Sequence, residues 1–95
     1  MVVYSSKNPN NFCVLPNGCI GLINKAEIIE SKYYVSGYKL DFCENLYTVP
    51  FESRVLQIGY YSISHTKFNR VVPTKKCIGY QKPGSSQIVI FPYIN

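Results

Sequence analysis

The sequence predicts an all-β fold: one small barrel or sandwich of about six to seven short antiparallel strands, SH3-like or OB-like, with at most one short helix. Three observations carry that prediction. Runs of β-branched and aromatic residues recur along the chain. Turn residues separate them at intervals of roughly eight to twelve positions. The chain is 95 residues long and 46% hydrophobic, enough for one core and one domain spanning 1–95. No internal repeat or low-complexity tract interrupts it.

Residues 2–4, Val-Val-Tyr, form a short β-favouring run, and the Pro- and Asn-bearing segment 5–11 is a loop. Residues 12–15 and 19–23 flank Pro16-Asn17-Gly18, the clearest hairpin signal in the chain. Proline pre-sets the first turn position, Asn tolerates the second and Gly accepts a positive φ. A turn closed there sets Cys13 and Cys19 on one face, offset diagonally.

Residues 24–32 supply the only candidate helical turn, with Asn24 as cap and Glu27 three positions on. A strand starting at Ile28 is the alternative. Residues 33–43 alternate with period two. Tyr34, Ser36, Tyr38, Leu40 and Phe42 share one face, and Tyr33, Val35, Gly37, Lys39 and Asp41 share the other. Gly37 marks a bulge or bend. Residues 46–49 read as a further strand, stopped by Pro50. Residues 54–64 are apolar on both faces and read as a central strand bent at Gly59, followed by a strand at 68–72. Residues 77–81 and 87–91 flank Lys82-Pro83-Gly84-Ser85-Ser86, a second hairpin.

Four cysteines, Cys13, Cys19, Cys43 and Cys77, are irregularly spaced, with no Cys-x-x-Cys pair. Structural zinc takes its ligands in close pairs, so free thiols inside strands are expected, with no metal and no cofactor. Export would instead admit a disulfide framework with three pairings. No basic segment followed by a long apolar run opens the chain, and no apolar run approaches the roughly 20 residues that span a bilayer. A cytoplasmic protein with no membrane partner is expected.

Charge is unevenly distributed. Residues 54–95 carry Arg54, Lys67, Arg70, Lys75, Lys76 and Lys82 without a carboxylate, a net +6. Residues 1–53 hold Glu27, Glu30, Asp41, Glu44 and Glu52 against four lysines, a net −1, and the whole chain is +5. A basic, aromatic segment points to an acidic partner. The sequence therefore predicts a non-catalytic binding module for nucleic acid or another acidic macromolecule. Lys67, Arg70, Lys75, Lys76 and Lys82 would contact phosphate, and Tyr60, Tyr61 and Tyr80 would stack on bases. That prediction requires the carboxylates to stand apart from the cations.

A protein-interaction module is the alternative, with exposed tyrosines as anchors: an inhibitor, accessory factor or assembly component. The Asn-, Ile-, Tyr- and Lys-rich composition suits a small viral or phage product. Catalysis is poorly supplied. His65 is the one histidine, and acid–base chemistry needs two cooperating groups. A small nuclease would have to pair it with Glu52 and hold phosphate with Arg54 or Arg70. No glycine-rich phosphate loop and no acidic cluster for a divalent cation is present.

Overall fold

A computed structural model describes Tyr4 and residues 11–93. Six antiparallel strands, β1 (Phe12–Val14), β2 (Ile20–Ile29), β3 (Lys32–Asn45), β4 (Gly59–Val71), β5 (Lys75–Gln81) and β6 (Ile88–Pro92), form one sheet that closes on itself. The order around the ring is β1-β2-β3-β4-β6-β5, with β5 returning to β1. One 3-10 turn, Ser53–Leu56, is the remaining regular element among the described residues. The all-β barrel expected from strand number and turn spacing is therefore what the chain forms. The strand expected at Val2 and Val3 and the loop at 5–10 lie outside the described residues, and Tyr4 itself is not in a strand.

Closing a ring removes the sheet's free edges where the strands overlap. The interior is filled by side chains from all six strands: Phe12 and Val14, Ile20, Leu40, Tyr61, Cys77, and Ile88 with Ile90. Phe12 reaches across to Gly79, where an added Cβ would lie 2.7 Å from the ring's Cδ2. A second cluster, Cys13, Leu15, Ile23, Val35 and Phe68, forms on the other face of the sheet, with Tyr4, Ala26 and Val71 packed against it. Phe68 lies over Gly21 just as Phe12 lies over Gly79: a Cβ on Gly21 would sit 2.8 Å from the Phe68 ring. Strand β1 is thus buried on both faces. The period-two faces expected for β3 are observed, each serving a different cluster: Val35 the outer, Leu40 the inner.

Residues 24–32 are not helical. They continue β2 to Ile29 and turn through Glu30 and Ser31, both at positive φ (51° and 68°), into Lys32, the partner of Ile29. Two consecutive left-handed residues make the turn whose twist suits a two-residue hairpin. The helix-like spacing has a local cause. The β2–β3 register slips at Asn24, so Ile23 and Ala26, three apart, fall on one face. The same device recurs in β4, where Ser36 faces both Asn69 and Arg70 and puts Phe68 and Val71, again three apart, into the outer cluster. Ser36 Oγ fastens that bulge, accepting from Arg70 N–H at 2.9 Å and donating to Asn69 Oδ1 at 3.1 Å.

Three further expectations are corrected. Residues 46–49 are irregular rather than a strand. Residues 53–56 form the 3-10 turn, and β4 begins only at Gly59. The strands expected at 54–64 and 68–72 are one strand, with residues 64–66 looping out against Lys39. The hairpin around Pro16-Asn17-Gly18 forms as expected: Val14 pairs with Ile20, and Leu15 N–H donates to Cys19 O at 2.7 Å. The Pro83-Gly84 hairpin also forms, with Lys82 N–H donating to Gln87 O at 2.8 Å.

All four cysteines are free, Cys13 and Cys77 buried, Cys19 and Cys43 exposed. Burial, reinforced for Cys13 by the Cys77 sulfur, pushes both buried thiols up to about 12 from 9.0; Lys75 opposes the rise at Cys77 only in part. Above pH 9 the unfolded chain releases protons that the folded chain retains, so this contribution to stability declines as pH rises from about 9 to about 12. Thermal melts across that range are expected to show a shallower alkaline loss in a Cys13→Val, Cys77→Val double variant than in the parent. Equal slopes would refute the assignment.

Candidate interaction surface

The connection from β3 to β4 is the least barrel-like part of the chain and the most exposed apolar one. Between Asn45 and Gly59 it presents Leu46, Val49, Phe51, Val55 and Leu56, with Val49 82% and Val55 73% exposed. Singly exposed apolar residues are ordinary, but five on one short loop make it a candidate contact surface. Tyr47 meets Phe51 edge to face, ring centres 6.3 Å apart.

The loop is fixed by one buried hydroxyl. Ser53 is fully buried; its Oγ accepts from Leu46 N–H at 2.8 Å and from Tyr47 N–H at 3.4 Å and donates to Ile58 O at 2.8 Å. The Ser53 backbone adds two bonds, N–H to Tyr47 O at 2.9 Å and O from Ile58 N–H at 3.1 Å. Asn45 Oδ1 accepts from Arg54 N–H at 2.9 Å, and Gln57, left-handed at φ 61°, ends the 3-10 turn. The Arg54 guanidinium lies 4.5 Å above the Phe42 ring. Apolar side chains are therefore held outward on a fixed frame. Such a segment loses little conformational entropy on docking.

The residues expected to bind nucleic acid are only partly brought together. Tyr60 and Tyr80 both pair with Val89, so the three lie in one row on the outward face of β4, β6 and β5. Tyr80 is 55% exposed, and Lys82 Nζ lies 4.5 Å above the Tyr60 ring. Tyr61 points the other way. It is 6% exposed, packs edge to face on Phe42 at 5.5 Å, and its phenol is pushed up by burial. It is a core residue and not a stacking platform.

Lys76 is also buried, 9% exposed, with its Nζ 4.7 Å above the Tyr93 ring. Lys75 is exposed where β5 begins and Lys82 follows its end, roughly 20 Å away along an extended strand. Lys67 is exposed on β4, 5.6 Å from the Tyr38 ring.

Nor do the carboxylates stand apart. Glu27 lies 3.5 Å from Arg70 and 3.9 Å from Lys25, and Glu44 lies 3.8 Å from Lys82. The second half's positive charge is thus spread and partly matched, because antiparallel pairing sets β4 beside the acid-bearing β3. His65 is exposed in the loop-out 64–66, where Thr66 N–H donates to Ser64 Oγ at 3.0 Å. Among the described residues no three His, Cys, Asp or Glu side chains gather where they could hold a metal.

The sequence reads as a strand here because Leu46, Tyr47 and Val49 carry strand propensity. The buried Ser53 that overrides it looks like any loop serine. Replacing Ser53 with Ala would leave Leu46 N–H and Ile58 C=O without their shared partner, at a cost of about 1–3 kcal/mol. For a domain this size that is expected to lower Tm by several degrees and to speed hydrogen exchange at Leu46. An unchanged melt and unchanged exchange would refute the staple.

No curated protein and no solved structure matches the chain. Residues 1–93 match one described family across nearly the whole sequence, and the chain belongs to it: the domain of unknown function DUF8592.

Proposed function

We propose that this domain is a non-catalytic protein-interaction module whose principal contact is the loop between β3 and β4. The observation that supports this most is the set of five large apolar side chains held outward by the Ser53 staple. Burying an apolar side chain of this size contributes about 1.5–3 kcal/mol, and aromatic anchors such as Phe51 and Tyr47 are typical of interface centres. An inhibitor, accessory factor or assembly component of viral or phage origin fits this reading and the composition noted above.

The test places a photo-crosslinking residue at Thr48 in the full chain, in cells that produce it, with a control at Ser31 on the β2–β3 turn. Protein adducts are expected at Thr48 and not at Ser31, and their yield is expected to fall in a Val49→Ser, Val55→Ser background that melts like the parent. Equal or absent adducts at the two positions would remove the reading.

A second reading, single-stranded nucleic acid, is supported by the Tyr60–Val89–Tyr80 row with Lys82 beside it. Bases stack on exposed sheet aromatics, and phosphate contacts make the affinity salt-dependent. A labelled single-stranded oligonucleotide is then expected to bind at low salt, to weaken as salt rises, and to weaken again in Tyr80→Ser. Binding that ignores both salt and Tyr80 would refute it.

A further inference from the structure

A groove between the β1–β2 turn and β4 carries a polar rim of one chemical kind. It is an open depression of about 320 Å3, with Asn17, Lys39, Lys67 and Asn69 around it and Leu15, Phe68 and Val71 as apolar lining. That volume is at the lower end of the range for small-ligand sites. A smaller groove of about 200 Å3 shares Lys67, Phe68 and Asn69 and adds Asn24, Ser36 and Tyr38.

The rim is rich in hydrogen-bond donors. Lysine ammonium groups are donors only. Asn17 Oδ1 already accepts from Cys19 N–H at 3.1 Å, and Asn69 Oδ1 from Ser36 Oγ at 3.1 Å. Each amide therefore has its oxygen engaged within the fold and its NH2 left to donate. Among the described residues, no Asp or Glu lines either groove. Lys25, Arg70 and Lys82 each lie within 4 Å of a carboxylate; among the described residues, Lys39 and Lys67 have no such neighbour.

We propose that this groove binds a phosphate ester. A phosphomonoester carries nearly two negative charges and three acceptor oxygens, which match two ammonium groups and two amide donors. The apolar or planar body attached to the phosphate rests on Leu15, Phe68 and Val71. Lys39 and Lys67 hold the charge. Ser36 is a positioning residue: it touches no ligand but fixes the Asn69 amide through the β4 bulge. The inference rests on neither reading given above. The phosphate could belong to a free nucleotide or to a nucleic-acid strand, and the two sources are separable.

The test titrates the isotope-labelled full chain with adenosine monophosphate, adenosine, and a short single-stranded oligonucleotide, following backbone amide shifts. Adenosine monophosphate is expected to move the amides of Asn17, Lys39, Lys67, Phe68 and Asn69, and adenosine at the same concentration is not. A Lys39→Gln, Lys67→Gln double variant, with an otherwise unchanged spectrum, is expected to raise Kd at least about tenfold. Ser36→Ala is expected to weaken binding by a smaller factor with the groove charges intact.

Tighter binding of the mononucleotide assigns the site to free phosphate esters, and tighter binding of the oligonucleotide at the same amides assigns it to a strand. No shift with either ligand up to about 10 mM, or shifts unaltered in the double variant, overturns the proposal.

Discussion

A chain of this size has little surface to spare, and its sheet stays folded because it buries apolar side chains on both faces at once. β1 shows the constraint in three residues: Phe12 and Val14 face the ring's interior while Cys13 faces the outer cluster. A strand packed on both sides cannot tolerate bulk on its neighbours. Two glycines therefore stand where two phenyl rings cross the sheet, Gly79 under Phe12 inside and Gly21 under Phe68 outside. Everything that projects from the barrel is positioned by this doubly packed centre.

The two candidate surfaces follow from it in different ways. The apolar loop projects because its backbone needs are met internally at Ser53, which frees its side chains to face outward. The donor-rimmed groove lies where the Phe68 ring packs on Gly21, with Lys39 and Lys67 at the margin of an apolar floor. One surface offers apolar area on a rigid frame, and the other offers positive charge and N–H groups. They suit ligands of different chemistry and lie on separate segments of the chain.

Much of the barrel was legible in the sequence. Pro16-Asn17-Gly18 and Pro83-Gly84 marked their hairpins, and the alternation from Tyr33 to Cys43 gave both faces of β3. Illegible were the features that depend on bulges. The slip at Asn24 gave a strand the spacing of a helix, and the excursion at 64–66 hid the continuity of β4. Charge segregation along the chain also misled, since folding sets Glu27 beside Arg70 and Glu44 beside Lys82. Of the groove residues, only Lys67 falls in the basic run of the second half. Lys39 belongs to the acid-bearing half, and the Asn17 and Asn69 amides are oriented only when Cys19 N–H and Ser36 Oγ bond their oxygens in the fold.

The paired bulges also bear on how such chains can diverge. Each acts as a parity switch, exchanging the faces of every residue beyond it. Losing the extra residue at Asn24 would leave Ile23 opposite Gly37 and Ala26 opposite Val35, so the flanking residues would keep their faces. A bulge is therefore a place where one position can be lost with the flanking pairings unchanged, whereas a change of length elsewhere in β2 or β4 would turn the residues beyond it to the wrong face.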